Sequence, residues 1–421
     1  GISTQDINDG KAARFLSLTR YDKEGQIIRE HQISVPNIKN VVGALRIGAD
    51  IIVGVNIAQA DGRVLPQLLR MSAQGENLKS HSFKEDGIDL ELVDVILDQD
   101  KNLVLSFQSE NQRYAGDMAS IQYTLDKNFK QLRRRLYMPG APNSYNKMTL
   151  NGDGSLVVAG SVDVESKIKD KPRSGGWMVN LDKDGAIFWQ KSYARGQKAE
   201  LVRAKAYDMR GFVAAGTAWP SLVNEEAKNS ALWVMHVDER GEPLWQRFIT
   251  GRDQYGFSAI DMHVFDDGRI AVLANVKALI RSDKVRSHVR LITFTPQGTI
   301  LQDQAFVEGS ESMAHGMVIS KDGDFRIMGQ VYTGYDEEVN LGDDAGQEPE
   351  NGAEDAAENP EAEKPMSALD QLRATSLEES LAADLNDADA STDGQFDVLT
   401  PVVRGWLLAV AKPEAYKNPC R

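Results

Sequence analysis

The feature that most narrows what this chain can fold into is a run of residues that occurs twice. From Trp177 to Tyr193 it reads Trp-Met-Val-Asn-Leu-Asp-Lys-Asp-Gly-Ala-Ile-Phe-Trp-Gln-Lys-Ser-Tyr, and a matching run spans Trp233 to Ile249. Trp177, Val179 and Leu181 fall on alternate positions of one strand, and Ile187 and Trp189 on those of the next, beyond Asp184-Gly185. A period of two is that of half-buried strands, and Asp-Gly supplies the positive φ of a tight hairpin turn. In both copies the tryptophans are twelve residues apart, and the copies are 56 residues apart.

The repeat extends along most of the chain as modules of four strands, A to D from the inside out. A–B turns are expected at Gly154, Gly211, Gly268 and Gly323, and C–D turns at Gly25, Gly75, Asn128, Gly185, Gly241 and Gly298. Six inner strands follow, at Val41–Arg46, Leu92–Leu97, Tyr145–Leu150, Leu201–Tyr207, Ser258–Phe265 and Ala314–Ser320. Four strands repeated every 50 to 57 residues predict an all-β fold, a β-propeller whose radial repetition protects sheet edges. Six blades are favoured. Residues 13–35 supply a C–D pair, and the C-terminus supplies a C-like strand with Trp406, so both termini are expected to close the last blade. A seventh, incomplete blade made from those two pieces is the alternative.

The predicted propeller covers residues 1–335, with a closing strand in 401–421. Between them, 336–400 breaks the pattern. From Asp336 to Asp397 there are 20 acidic residues against two basic ones, while the rest of the chain carries 42 acids and 46 bases. The net charge of −14 therefore belongs to one segment, and the body is close to neutral. With little to bury, most of this insert is expected to be disordered. Inside it, residues 366–386 read as an amphipathic helix: Ser367 and Asp370 resemble a capping box, and Leu369, Leu372, Leu377, Leu381 and Leu385 share a face.

Hydrophobic residues make up 41% of the chain, ample for a core, and no apolar run is long enough for a transmembrane helix. The single cysteine, Cys420, excludes an intramolecular disulfide. The N-terminus lacks signal-peptide regions and is read as a processed end. A periplasmic or secreted location is expected, with the cytoplasm as the alternative.

Recognition is expected on the face of the long B–C loops, because loops on a rigid scaffold vary freely. Two of these are basic, one with Lys167, Lys169, Lys171 and Arg173, the other with Lys277, Arg281, Lys284 and Arg286. Neither interleaves aromatics, which argues against nucleic acid. A protein partner is expected instead, and the basic loops also suit docking of the acidic insert in cis. The leucine stripe suits packing on the propeller or in a partner's groove. The six histidines show no metal-ligand spacing, and Asn151-Gly-Asp-Gly and Asp182-Lys-Asp-Gly read as turns rather than calcium loops, so neither metal nor cofactor is expected. No nucleophile or phosphate-binding motif is present. Asp261 and His263 on an inner strand, and His315 at the start of another, are placed to face the central channel beside Lys147.

The Asp-x-x-Gly-x-x-x-Trp pattern of Asp182 to Trp189, after the strand holding Trp177, resembles the blade repeat of bacterial quinoprotein-like propellers. The likeness covers most of residues 13–335 and is good only in two modules; Gln302, Arg133 or Lys79 stands near the tryptophan's place elsewhere. Enzymes of that family hold a quinone over calcium and commonly use a vicinal disulfide, for which one cysteine is insufficient. The resemblance therefore implies its cofactor-free branch and an exported interaction scaffold. The alternative is a glycan hydrolase or lyase using acids and histidine at the channel mouth.

Overall fold

The computed structural model describes residues 2–333 and 402–413, apart from 7–13, 23–26, 73, 112–117, 138–141, 165–172, 195, 197, 208–210, 220–229, 251–254, 282–283, 310, 321–322 and 412. Contacts divide the chain into two units, Gly1–Val331 with Arg404–Arg421, and Tyr332–Val403. The acidic insert, the expected helix 366–386 and its leucine stripe lie outside the described residues.

The fold is an all-β propeller, with no helix among the described residues and so none to cross a membrane. Five four-stranded antiparallel blades follow one another in chain order. They are β4 (Ile38–Ile47) to β7 (Asn77–Ser82), with β5 (Asp50–Ala58) and β6 (Val64–Met71) between; β8 (Ile88–Leu97), β9 (Leu103–Asn111), β10 (Met118–Leu125) and β11 (Gln131–Tyr137); and β12 (Asn143–Leu150), β13 (Leu156–Val164), β14 (Arg173–Leu181) and β15 (Ile187–Tyr193). The next is β16 (Lys198–Ala206), β17 (Phe212–Trp219), β18 (Ala231–Val237) and β19 (Pro243–Ile249), followed by β20 (Tyr255–Val264), β21 (Ile270–Arg281), β22 (Lys284–Phe294) and β23 (Ile300–Phe306). A sixth blade has β24 (Glu311–Ile319), β25 (Phe325–Thr333) and β26 (Val402–Val410) as its described strands. The six inner strands β4, β8, β12, β16, β20 and β24 fall where the repeat places them.

The termini depart from the expected joint closure. β26, with Trp406, pairs beside β25, whereas the N-terminal hairpin of β2 (Arg14–Tyr21) and β3 (Ile27–Ser34) forms a separate three-stranded sheet with β1 (Ile2–Asp6). The register Ile2↔Leu18 to Asp6↔Arg14 occupies the inner edge of β2, so that edge is not open to the C-terminal strand. β1 is short and mostly polar, which hides it from a pattern search.

No blade has a core of its own. β17 is buried along almost its whole length and β18 throughout, because neighbouring blades cover both faces of the sheet. One cluster joins Val157, Ala159 and Met178 to Leu201, Ala214 and Trp233 of the next blade; another joins Val213, Ala215 and Val234 to Phe257, Val272 and Ile292 of the blade after. Each valine, leucine, isoleucine, methionine or phenylalanine among them contributes roughly 1.5–3 kcal/mol by leaving water.

The repeated tryptophans divide into two roles. Trp177 and Trp233 are buried between blades. Trp189 and Trp245, on outer strands, each donate an indole N–H to the following blade's C–D turn, at Glu239 O (2.9 Å) and Pro296 O (3.2 Å). Tyr193 reinforces the first clasp by donating its hydroxyl to Gly241 O at 2.8 Å.

The turns obey local chemistry. Asp182 Oδ1 accepts the N–H groups of Asp184 and Ala186, both at 2.8 Å, and Gly185 takes φ 77°. Asp238 and Asp126 cap their turns in the same way. The left-handed residue is always the third after the capping aspartate, which puts it at Phe129 rather than the expected Asn128.

Gly160, Gly216 and Gly329 sit at matching places on second strands, where a Cβ would overlap the carbonyl oxygens of Ser144, Glu200 and Met313 respectively. Gly216→Ala should therefore cost about 1–3 kcal/mol of stability, read as a lowered urea midpoint.

Candidate functional site

Inner strands carry the features that shape the channel. In five of them the ladder slips by one residue, between Val41/Gly43, Leu92/Asp94, Tyr145/Lys147, Leu201/Arg203 and Ala259/Asp261. A bulge of this kind re-aims the following side chain. The residues just past it are Gly43, Asp94, Lys147, Arg203 and Asp261, so four of the five positions are ionisable.

These charges pair across blade boundaries. Lys147 Nζ lies 3.3 Å from Asp94 Oδ1, and Arg203 Nε lies 2.5 Å from Asp261 Oδ1. The Arg203 Nε–H makes no hydrogen bond of good geometry despite that approach, so the attraction there is between charges. Asp94 Oδ2 accepts the Met148 N–H at 2.7 Å. Asp261 accepts the N–H of Met262 at 2.8 Å and of Met317, on β24, at 3.3 Å.

His263 follows Asp261 on the same side of β20. Burial, aided by the charge of Lys205, lowers its pKa to about 4 and leaves the imidazole neutral near pH 7. Burial also lowers the pKa of Lys205, whose Nζ is 3.4 Å from Val264 O. At the other end of β16, burial raises the pKa of Glu200, opposed by Lys198. Lys198 Nζ stands 4.5 Å from the centre of the Trp219 ring, and the pairs Lys198↔Trp219 and Glu200↔Thr217 put these four residues on one sheet face. Glu200 precedes Arg203 along β16, and His263 follows Asp261 along β20.

His315 is exposed on β24, next to Gly316, whose backbone faces Asp261 Oδ2. Thus β20 carries Asp261 and His263 together, and β24 reaches Asp261 through the Met317 N–H. Sequence reasoning missed Asp94, Glu200, Arg203 and Lys205. The available signal was alignment of the repeats, which puts Asp94, Lys147, Arg203 and Asp261 about one module apart.

The basic segments divide differently. Lys277, Arg281, Lys284 and Arg286 are not in a long loop: Lys277↔Ser287, Ala278↔Arg286, Leu279↔Val285 and Arg281↔Lys284 continue the β21–β22 ladder. The segment expected as a long loop is instead the far end of this hairpin. Lys277 is exposed. Arg173 opens β14 and donates from Nε to Gly196 O at 2.9 Å. Lys167, Lys169 and Lys171 lie outside the described residues, as do Leu369, Leu372, Leu377, Leu381 and Leu385. Arg133, Arg134 and Arg135 are engaged in the fold by Asp184, Glu85 and the Asp184 carbonyl. Among the described residues no group of three or more His, Cys, Asp or Glu is arranged for a metal ion.

No family model matches the chain, the quinoprotein-like repeat included, and no curated protein matches it. Solved structures do. An ulvan lyase of polysaccharide lyase family 25 aligns at 10% identity and a TM-score of 0.44, over 72% of this chain and 76% of its own. A puromycin-hydrolyzing peptidase of Mycobacterium tuberculosis aligns at 13% and 0.41, over 70% of this chain, which spans only 44% of that protein. An ACO/RPE65 chimera aligns at 9% and 0.38, over 70% of each chain. These are distant likenesses of fold, and no role passes from them to particular residues here.

The depressed pKa of His263 predicts a pH effect. The unfolded chain binds a proton near pH 6.5 that the folded imidazole refuses until about pH 4, so stability falls as pH drops through that interval. His263→Gln should flatten the slope between these limits in urea unfolding measured at several pH values.

Proposed function

We propose that this propeller is a glycan-active enzyme, a hydrolase or lyase, working at its central channel with Asp261 and His263. The observation that carries the reading is the cluster of ionisable side chains on adjacent inner strands, where Arg203 of β16 pairs with Asp261 of β20 and His263 stands two residues further along β20. Neutral His263 can accept a proton, and Glu200, whose pKa burial raises, is assigned as the proton donor. Arg203 and Lys147 offer positive charge to an oxyanion forming in the reaction. The Trp219 ring, beside Lys198 on the sheet face of Glu200, supplies an apolar surface for a sugar ring. His315 is exposed and is assigned to the mouth rather than to the proton transfer.

The interaction scaffold expected first from the sequence drew on the insert and the basic segments, most of which lie outside the described residues or within the β21–β22 ladder. The channel therefore carries the proposal. An exported location, periplasmic or secreted, suits an enzyme acting on polymers too large to enter a cell.

Incubation of the full chain with a panel of neutral and acidic polysaccharides, followed by measurement of new chain ends, tests the reading. Glu200→Gln and His263→Ala should each lower turnover at least about 100-fold, the usual reach of a general acid or base. Failure of the folded wild-type chain to cut any member, or full activity in both variants, would overturn the proposal.

A further inference from the structure

The waist of the channel is balanced in formal charge but not in what it presents to a ligand. Side chains of Asp94 and Asp261 are 7% and 11% exposed, whereas those of their partners Lys147 and Arg203 are 30% and 25% exposed. The carboxylates are turned into the blade boundaries by the backbone N–H groups of Met148, Met262 and Met317. An N–H donor satisfies a carboxylate without neutralising the cation beside it, so each acid is buried behind its base.

The two cations come from adjacent strands. Asn146 Nδ2, immediately before Lys147, donates to Leu201 O at 2.7 Å, which fixes β12 against β16 two residues before Arg203. Besides its ion pair with Asp261, Arg203 makes no hydrogen bond through its guanidinium among the described residues. Gly43 and Gly316 leave the matching space on β4 and β24 without a side chain, and so without a further acid.

We infer that this waist binds the carboxylate or sulfate groups of an acidic polysaccharide, held between Lys147 of β12 and Arg203 of β16. The inference rests on the channel being the working site and narrows its substrates to anionic polymers. An acidic group entering the waist exchanges its water for a planar guanidinium fork and a compact ammonium. A neutral sugar meets the same two cations without a charge of its own, so discrimination between acidic and neutral chains originates here.

Titration calorimetry of the full chain with hexagalacturonate, a short dextran sulfate and neutral maltohexaose tests this. The two acidic probes separate carboxylate from sulfate recognition. At least one should bind, more weakly as salt rises, and maltohexaose should not. The double variant Asp94→Asn/Lys147→Met, which removes both members of a pair, should weaken acidic binding at least tenfold. Lys147→Arg should retain it, while Lys183→Gln, on the exposed β14–β15 turn, should leave it unchanged. Thermal melting of each variant checks folding, and if the double variant is unfolded, Lys147→Gln takes its place. Failure of both acidic probes to bind the wild type, undiminished binding in the waist variant, or loss of binding in Lys183→Gln would each overturn the inference. Acidic binding without cleavage would sink the enzyme reading alone; cleavage of neutral polymers without acidic binding would sink this inference alone.

Discussion

The structure depends on burial between blades rather than within them. A four-stranded sheet has two faces and no interior, so the apolar residues on both sides of β17 and β18 are satisfied only by the preceding and following blades. Polar contacts set the spacing of that stack. Asn56 exchanges two hydrogen bonds with the backbone of Leu92, and Asn275 does the same with Ala314, each reaching from a second strand to the next inner strand. At the rim, Trp189, Tyr193 and Trp245 hold the next blade's turn. Apolar area supplies most of the stabilisation, and these directional bonds specify the angle at which it is buried.

The channel chemistry is a by-product of the same packing. Bulges on the inner strands let second-strand glycines approach the inner-strand carbonyls closely, as at Gly216 and Glu200. Each bulge also changes which way the next side chain points. Stacking bulged strands around an axis therefore aligns one residue from each blade at one level. In this chain those residues are mainly charged, and the backbone N–H groups exposed by the slip hold the acids. Catalytic or binding capacity is thus added to a structural device.

Much of the architecture was legible in the chain because its signals are local. Asp182 and Gly185 define a hairpin whatever surrounds them, and alternation around Trp177 or Trp233 marks strands without reference to a neighbour. The six inner strands followed from the period alone. Less was legible at the ends, where β1 carries neither a strong pattern nor a turn signal and yet takes the edge of β2. The segment from Lys277 to Ser287, expected as a long loop, instead continues the β21–β22 ladder. Of the candidate site, Asp261, His263 and Lys147 could be read as channel-facing. Arg203, Asp94 and Glu200 could not, because their roles depend on partners one blade away.

The sequence by itself determined the secondary structure, the repeat and the turns, since each rests on preferences of a few consecutive residues. Tertiary structure decided which charges meet and which of them face the channel. Lys147 and Asp94 are ordinary polar residues along their strands. They become a pair with the acid behind and the base in front only when a bulge rotates each side chain and the closing ring brings β8 against β12. Electrostatic character at the axis is a property of burial and distance, and neither is written in a run of neighbouring residues.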